Sequence, residues 1–298
     1  MAPPGFSIFM PAQQKRRIVT FGLASLGAAA LAACSPVKLL NATIPSSGYR
    51  KTSGIAYGSD PRQVLDVYVP VAPASTEPRP VVVFFYGGSW QNGDRGNYLF
   101  VAQALTSRGY VAVLPDYRTY PETAFPGFVN DAAAATRWTR DHAHEFGGDP
   151  SRLFVMGHSA GAHLAALIAT DPRYLGAQSM SKADLRGVIG LAGPYDFLPI
   201  TDRTLFDVFP ADTRAESQPI NYVTGHEPPM FLAAGTDDSI VDPGNTDRLA
   251  AMLRKHGDSV EVKHYDGFGH IRIVSALALP LRGRSTVLAD VSAFIDSR

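Results

Sequence analysis

Cysteine is almost absent from this chain: one, Cys34, in 298 residues. No intrachain disulfide can form, so the fold must rest on its core. Net charge is absent as well, with 27 Lys+Arg against 27 Asp+Glu. That balance, without a basic stripe or a charged run, excludes the electrostatic footprint of a nucleic-acid binder and a charged interaction tail. No internal repeat is visible, which excludes a solenoid or propeller. No apolar run reaches the about 20 residues needed to span a bilayer. No His/Cys/Asp cluster has metal-ligand spacing, so no metal is expected. What remains is 45% hydrophobic and 18% charged. That is the composition of a globular domain, and the length suits one large α/β domain.

The lone cysteine is explained by its position. Lys15-Arg16-Arg17 is a positive patch, and Ile18 to Ala30 is an uncharged run of apolar and small residues. Leu31-Ala32-Ala33-Cys34 follows. A short basic region, a short apolar core and small residues before a cut describe a secretory signal over 1–33. Leu-Ala-Ala-Cys also resembles the lipobox of bacterial lipoproteins. That resemblance implies a diacylated Cys34 as the mature N-terminus, with the protein secreted across the cytoplasmic membrane and anchored by lipid in the cell envelope. Residues 34–50, with Ser, Pro, Asn and Gly, read as a linker. The domain is then expected over 51–298.

Within that domain, hydrophobic runs alternate with helical patterns. Ile55-Ala56-Tyr57 and Val64 to Val69 read as a hairpin around Gly58-Ser59-Asp60-Pro61. Val81 to Tyr86 is continuously apolar, as in a strand buried on both faces. A helix is expected over 99–108, then a strand at Tyr110 to Leu114. A long helix is expected over 127–146, stopped by Gly147-Gly148-Asp149-Pro150. Further strands are expected at 152–156, 187–192, 230–235 and 260–265, with helices at 246–256 and 285–295. This alternation predicts a doubly wound, mostly parallel sheet with helices on both faces. Ligands then sit beyond the carboxyl ends of its strands. Residues 194–228 interrupt the pattern with five prolines and several aromatics. They read as a small cap or insertion after the sixth strand.

The chemistry centres on Val155-Met156-Gly157-His158-Ser159-Ala160-Gly161. A buried strand precedes it and a helix of small residues follows. This is the context that the G-x-S-x-G nucleophile elbow requires. A serine hydroxyl needs an adjacent base, and the base needs a carboxylate to fix its tautomer. Downstream, the strand ending at Gly235 leads into Thr236-Asp237-Asp238-Ser239-Ile240-Val241-Asp242. Three aspartates compete here; the stretch resembles the hydrolase pattern G-x-x-D-x-x-V, and that resemblance selects Asp238, with Asp237 as the rival. Asp242, before Pro243, reads as the start of the next helix. Gly267-Phe268-Gly269-His270 follows the last strand, and His270 in a Gly-rich loop is the candidate base. His264 lies within the strand pattern, and neither His158 nor His163 receives a chemical role. Gly87-Gly88-Ser89-Trp90, after the strand ending at Tyr86, reads as the oxyanion loop. Gly88, Ser89 and Ala160 are its candidate backbone donors.

Together, Tyr86-Gly87-Gly88-Ser89-Trp90, Gly157-His158-Ser159-Ala160-Gly161, the Asp238 pattern and Gly269-His270 resemble the α/β-hydrolase esterases with an H-G-G-x-W loop. Asp116-Tyr117-Arg118 and Tyr120-Pro121-Glu122 match the segment that these enzymes carry after the next strand. The group includes hormone-sensitive-lipase-like carboxylesterases, feruloyl and acetylxylan esterases, prenylcysteine methylesterases and kynurenine formamidase. The resemblance covers about residues 50–298. It implies a serine esterase with a Ser159-Asp238-His270 triad, no cofactor and a small-molecule ester substrate. One departure stands out: Tyr86 occupies the position of the family's loop-holding histidine. Two other readings stay open, an amidase of the arylformamidase type and a non-catalytic ligand-binding lipoprotein.

Overall fold

The computed structural model describes residues 40–71 and 77–298. The expected signal at 1–33, the lipidation site Cys34 and residues 34–39 of the expected linker lie outside these. Eight strands form one sheet in the order β1-β2-β4-β3-β5-β6-β7-β8. They are β1 (Tyr49–Ala56), β2 (Val64–Pro70), β3 (Arg79–Phe85), β4 (Val111–Pro115), β5 (Gly148–His158), β6 (Gly187–Leu191), β7 (Met230–Gly235) and β8 (Val260–Tyr265). The hairpin β1–β2 is antiparallel and joins β4 antiparallel; from β4 to β8 every pair is parallel. The doubly wound, mostly parallel sheet expected from the alternation is present.

The central strands follow from their composition. In β3, β4, β6 and β7 nearly every residue is buried. Such strands need helices on both faces, and their runs are accordingly apolar rather than alternating. The helices are α1 (Leu99–Thr106), α2 (Gly127–His142), α3 (Ala160–Thr170), α4 (Pro172–Ala177), α5 (Gly244–Lys255), α6 (His270–Ser275) and α7 (Val287–Asp296). In α2, Phe128, Val129, Ala132, Ala133, Ala135, Thr136 and Thr139 are buried, the i, i+3, i+4 stripe of a helix laid on a sheet. Every residue of α3 is buried. It is alanine-rich because it runs through the middle of the molecule.

The structure departs from expectation in several places. The helix expected over 127–146 ends as an α-helix at His142; residues 143–146 form a 3-10 turn closed by Gly147 at φ 71°. Two short helices, α4 and α6, went unforeseen. Between Leu40 and β1 the chain is tied down. Asn41 donates to the Gly96 carbonyl at 2.7 Å and accepts from the Phe100 N–H at 3.3 Å, while Leu40 and Ile44 pack on the core.

Residues 192–229, after the sixth strand, hold three 3-10 turns: Arg203–Leu205, Arg214–Ser217 and Pro219–Tyr222. Val208 and Phe209 are fully buried. The Val208 carbonyl accepts from the Phe125 N–H at 2.8 Å, which pins the segment to the loop before α2.

Candidate active site

The turn from β5 into α3 carries Ser159 at φ 55°, ψ −123°. This conformation is sterically poor for a residue with a Cβ. It is imposed from both sides. The Ser159 N–H donates to the Leu191 carbonyl at 2.9 Å, and its carbonyl accepts from the His163 N–H at 3.1 Å. The flanking glycines are needed for close approach. A Cβ on Gly157 would lie 2.2 Å from the Gly161 carbonyl carbon, and one on Gly161 would lie 2.0 Å from the Phe85 carbonyl oxygen. Ser159 is thus lifted above the end of β5, half-buried and reachable.

Two further loops bring the partners. After β7, Asp238 is 8% exposed, whereas Asp237 is exposed and only 3.4 Å from the Thr236 hydroxyl. Asp238 Oδ1 accepts the N–H groups of Ile240 and Val241, each at 2.9 Å. Its Oδ2 lies 2.8 Å from His270 Nδ1. His270 Nε2 lies 2.8 Å from Ser159 Oγ. A carboxylate only accepts, so Nδ1 carries the proton and Nε2 faces Ser159 with its lone pair. The three residues selected from the sequence are therefore brought together, and the rival Asp237 is not. Asp242 lies just before α5, where its side chain accepts from the Gly244 N–H at 3.0 Å and pairs with Arg248, away from His270. His264 pairs with Asp247 on the exposed side of β8.

His270 corrects one expectation. It does not sit in a loop but is the first residue of α6, with Gly269 as N-cap. Gly267-Phe268-Gly269 disguises the helix, because two glycines just before a six-residue element leave no helical periodicity to read.

The loop after β3 turns over Ser159. Gly88, Ser89 and Trp90 have φ of 143°, 53° and 57°. The Gly88 carbonyl closes the turn by accepting from Gln91 and Asn92 at 3.0 and 2.9 Å. Among the described residues no backbone carbonyl accepts the Gly88 or Ser89 N–H. Ala160 opens α3, so its N–H has no acceptor within the helix. The loop touches the elbow: a Cβ on Gly87 would stand 2.9 Å from Ser159 Cβ.

Tyr86, the departure from the H-G-G-x-W pattern, is built into the support of this loop. Its ring stacks on Tyr117 at 4.6 Å and on Tyr98 at 5.8 Å between centroids. The Tyr117 hydroxyl donates to the Tyr86 carbonyl at 2.8 Å. Arg62 reaches the Tyr86 hydroxyl at 3.4 Å and the Gly93 carbonyl at 2.7 Å. Burial, then the charge of Asp116, push the phenol above its ordinary range, so it stays neutral. Trp90 leads into the 192–229 segment. Its indole N–H donates to His163 Nδ1 at 3.2 Å, and its ring meets Phe197 and Phe209 at 5.8 and 4.7 Å. His163 donates from Nε2 to the Ser217 carbonyl at 2.7 Å, and burial holds its pKa down to about 4. These contacts were invisible in the sequence, where Arg62 and His163 carry no motif.

Chemically, the arrangement can pass a proton from a hydroxyl to an imidazole braced by a carboxylate, beside three backbone N–H groups. Among the described residues no group of three or more His, Cys, Asp or Glu could hold a metal ion.

Comparison with known proteins places the chain in a family. The BD-FAE family model matches residues 65–253, a span that includes Ser159 and Asp238 and stops before His270. The probable isoprenylcysteine alpha-carbonyl methylesterase ICMEL1 of Arabidopsis thaliana is 30% identical over 252 residues, covering 77% of this chain and 52% of that protein. The chain thus spans about half the length of that relative. The carboxylesterase NlhH of Mycobacterium tuberculosis (strain CDC 1551 / Oshkosh) is 31% identical, with 74% of each chain covered. Among solved structures, inhibited esterase B from Lactobacillus rhamnosis superposes with a TM-score of 0.76 at 22% identity, over 92% of this chain and 96% of that one. The propionate-bound esterase Est2 of Thermogutta terrifontis gives 0.70 at 24%, over 85% and 96%. These likenesses establish the α/β-hydrolase fold. With more than half of its length matched by the family model, the chain belongs to the BD-FAE family.

Proposed function

We propose that this protein is a serine hydrolase that cleaves carboxylic esters through an acyl-enzyme. The observation that carries the reading is the unbroken run Asp238–His270–Ser159, with both hydrogen bonds at 2.8 Å and the serine only half-buried. In this reading Ser159 Oγ attacks the acyl carbon while its proton passes to His270 Nε2. Asp238 stabilises the resulting imidazolium. The N–H groups of Gly88, Ser89 and Ala160 receive the charge that develops on the carbonyl oxygen, a contribution of about 10²–10³ in rate for each donor. His270 returns its proton to the leaving alcohol, which departs and leaves the acyl group on Ser159. A water, deprotonated by His270, then attacks the acyl carbon, and Ser159 leaves with the proton restored. No step calls on a cofactor.

The names of the relatives, a methylesterase and a carboxylesterase, support esters as the substrate class. The test is Ser159→Ala assayed with p-nitrophenyl acetate. Turnover should fall by about 10⁴ or more, and a fluorophosphonate probe should label the parent protein but not the variant. Near-parental turnover by Ser159→Ala would overturn the assignment. The same reading includes attachment by a diacylated Cys34 to the bacterial cell envelope, supported by the basic patch, apolar run and Leu-Ala-Ala-Cys sequence.

A further inference from the structure

His158, the variable residue of the elbow, has no part in the proton transfers above, yet it is completely enclosed beside them. It lies at the end of β5 and is 2% exposed. Its Nε2 is 2.9 Å from the backbone carbonyl oxygen of His270. A carbonyl only accepts, so Nε2 carries the hydrogen and Nδ1 is left with a bare lone pair. That Nδ1 is buried and has no hydrogen-bond partner. The two imidazoles stand 4.8 Å apart at 43°. On its other side His158 meets the oxyanion loop: a Cβ on Gly87 would fall 3.1 Å from Nδ1. Burial and the neighbouring His270 hold the His158 pKa down to about 3, so the ring is neutral whenever His270 works.

An unpaired buried acceptor is destabilising, and a leucine of similar volume would avoid it. The gain from histidine must therefore lie in the one bond it makes. That bond reaches across 112 residues of sequence to the first turn of α6. We propose that His158 is a positioning residue: its Nε2–H holds the His270 carbonyl, and its ring separates the base from the oxyanion loop, so that His270 Nε2 stays aimed at Ser159. It acts through His270 and touches no reacting atom. The geometry at stake is fine, because a displacement of about 1 Å in a catalytic group is enough to lower turnover about 100-fold.

This inference rests on the esterase reading, and the experiment separates the two. Three variants are compared with the parent on p-nitrophenyl acetate. His158→Gln keeps an N–H near the reach of Nε2. His158→Asn carries an amide that stops near the Nδ1 position, and His158→Leu has no donor. With the His270 carbonyl as the target, Gln should stay within about three-fold of the parent kcat, while Asn and Leu fall about 10- to 100-fold at unchanged KM. Thermal unfolding is followed alongside; should Leu fail to fold, the Gln–Asn pair decides. A Leu variant that turns over like the parent, or three variants that fall alike, would overturn the proposal. If instead the parent itself neither hydrolyses the ester nor takes the fluorophosphonate on Ser159, the esterase reading fails and His158 is not at issue.

Discussion

At the scale of single residues, the two adjacent aspartates show how a spacing rule becomes geometry. Asp238 and Asp237 are chemically identical, and only position separates them. The valine three residues after Asp238 is more than a marker, because its N–H is one of two that hold Asp238 Oδ1 while Oδ2 faces His270. Asp237 points to solvent. Asp238→Asn should therefore lower kcat by about 10⁴, since an amide facing Nδ1 favours the wrong tautomer of His270. Asp237→Asn should leave kcat within about two-fold, as expected of a surface substitution. Steady-state kinetics on one ester checks both, and comparable losses in the two variants would contradict the assignment. Ser159, Asp238 and His270 were legible because each follows a strand end in the chain order of an α/β-hydrolase. His158 was not. Its neighbour defines the motif, but nothing in the spacing says where a side chain at a strand terminus will point. The role of Tyr86 was hidden for the same reason: its support comes from Arg62, Tyr98 and Tyr117, which only the fold assembles.

At the scale of elements, the buried strands were legible as continuous apolar runs, and the errors fell where local signals are weak. The helix α6 is too short to show a period, and two glycines precede it. The end of α2 passes into a 3-10 turn, which Gly147 closes in the left-handed region. The β5–α3 elbow holds a residue with a Cβ in the left-handed region. Its serine sits at φ 55°, and such strain costs about 1–3 kcal/mol. Glycine would relieve that strain, while its larger chain entropy in the unfolded state opposes it by about 0.5–1 kcal/mol. The strain term is the larger, so Ser159→Gly should be more stable than Ser159→Ala by about 1 kcal/mol, with both inactive. Urea midpoints at equal m-value measure the difference. An alanine variant as stable as the glycine variant would mean that the elbow stores no strain.

At the scale of the whole molecule, the site occupies the carboxyl ends of β5, β7 and β8, and the chain enters the domain on that same side. Asn41 is bonded to Gly96 and Phe100, at the amino end of α1, which follows the loop after β3. In a parallel sheet the helix after a strand begins beside that strand's carboxyl end. If Cys34 carries the lipid, only residues 35–39 separate it from Leu40. A fully extended chain of that length spans roughly 20 Å. The tether would then hold the domain close to the bilayer, by its active-site side, with little freedom to roam. One acyl chain binds membranes only marginally, whereas two give stable anchoring. Cys34→Ser should therefore move the protein from the membrane fraction to the soluble one and abolish incorporation of labelled palmitate. Turnover of a soluble ester should remain within about two-fold, because Cys34 is remote from Ser159 in the chain and enters no step of the reaction. Retention of the Cys34→Ser protein on membranes, or a parent protein that takes up no label, would remove the anchor and leave the hydrolase reading intact.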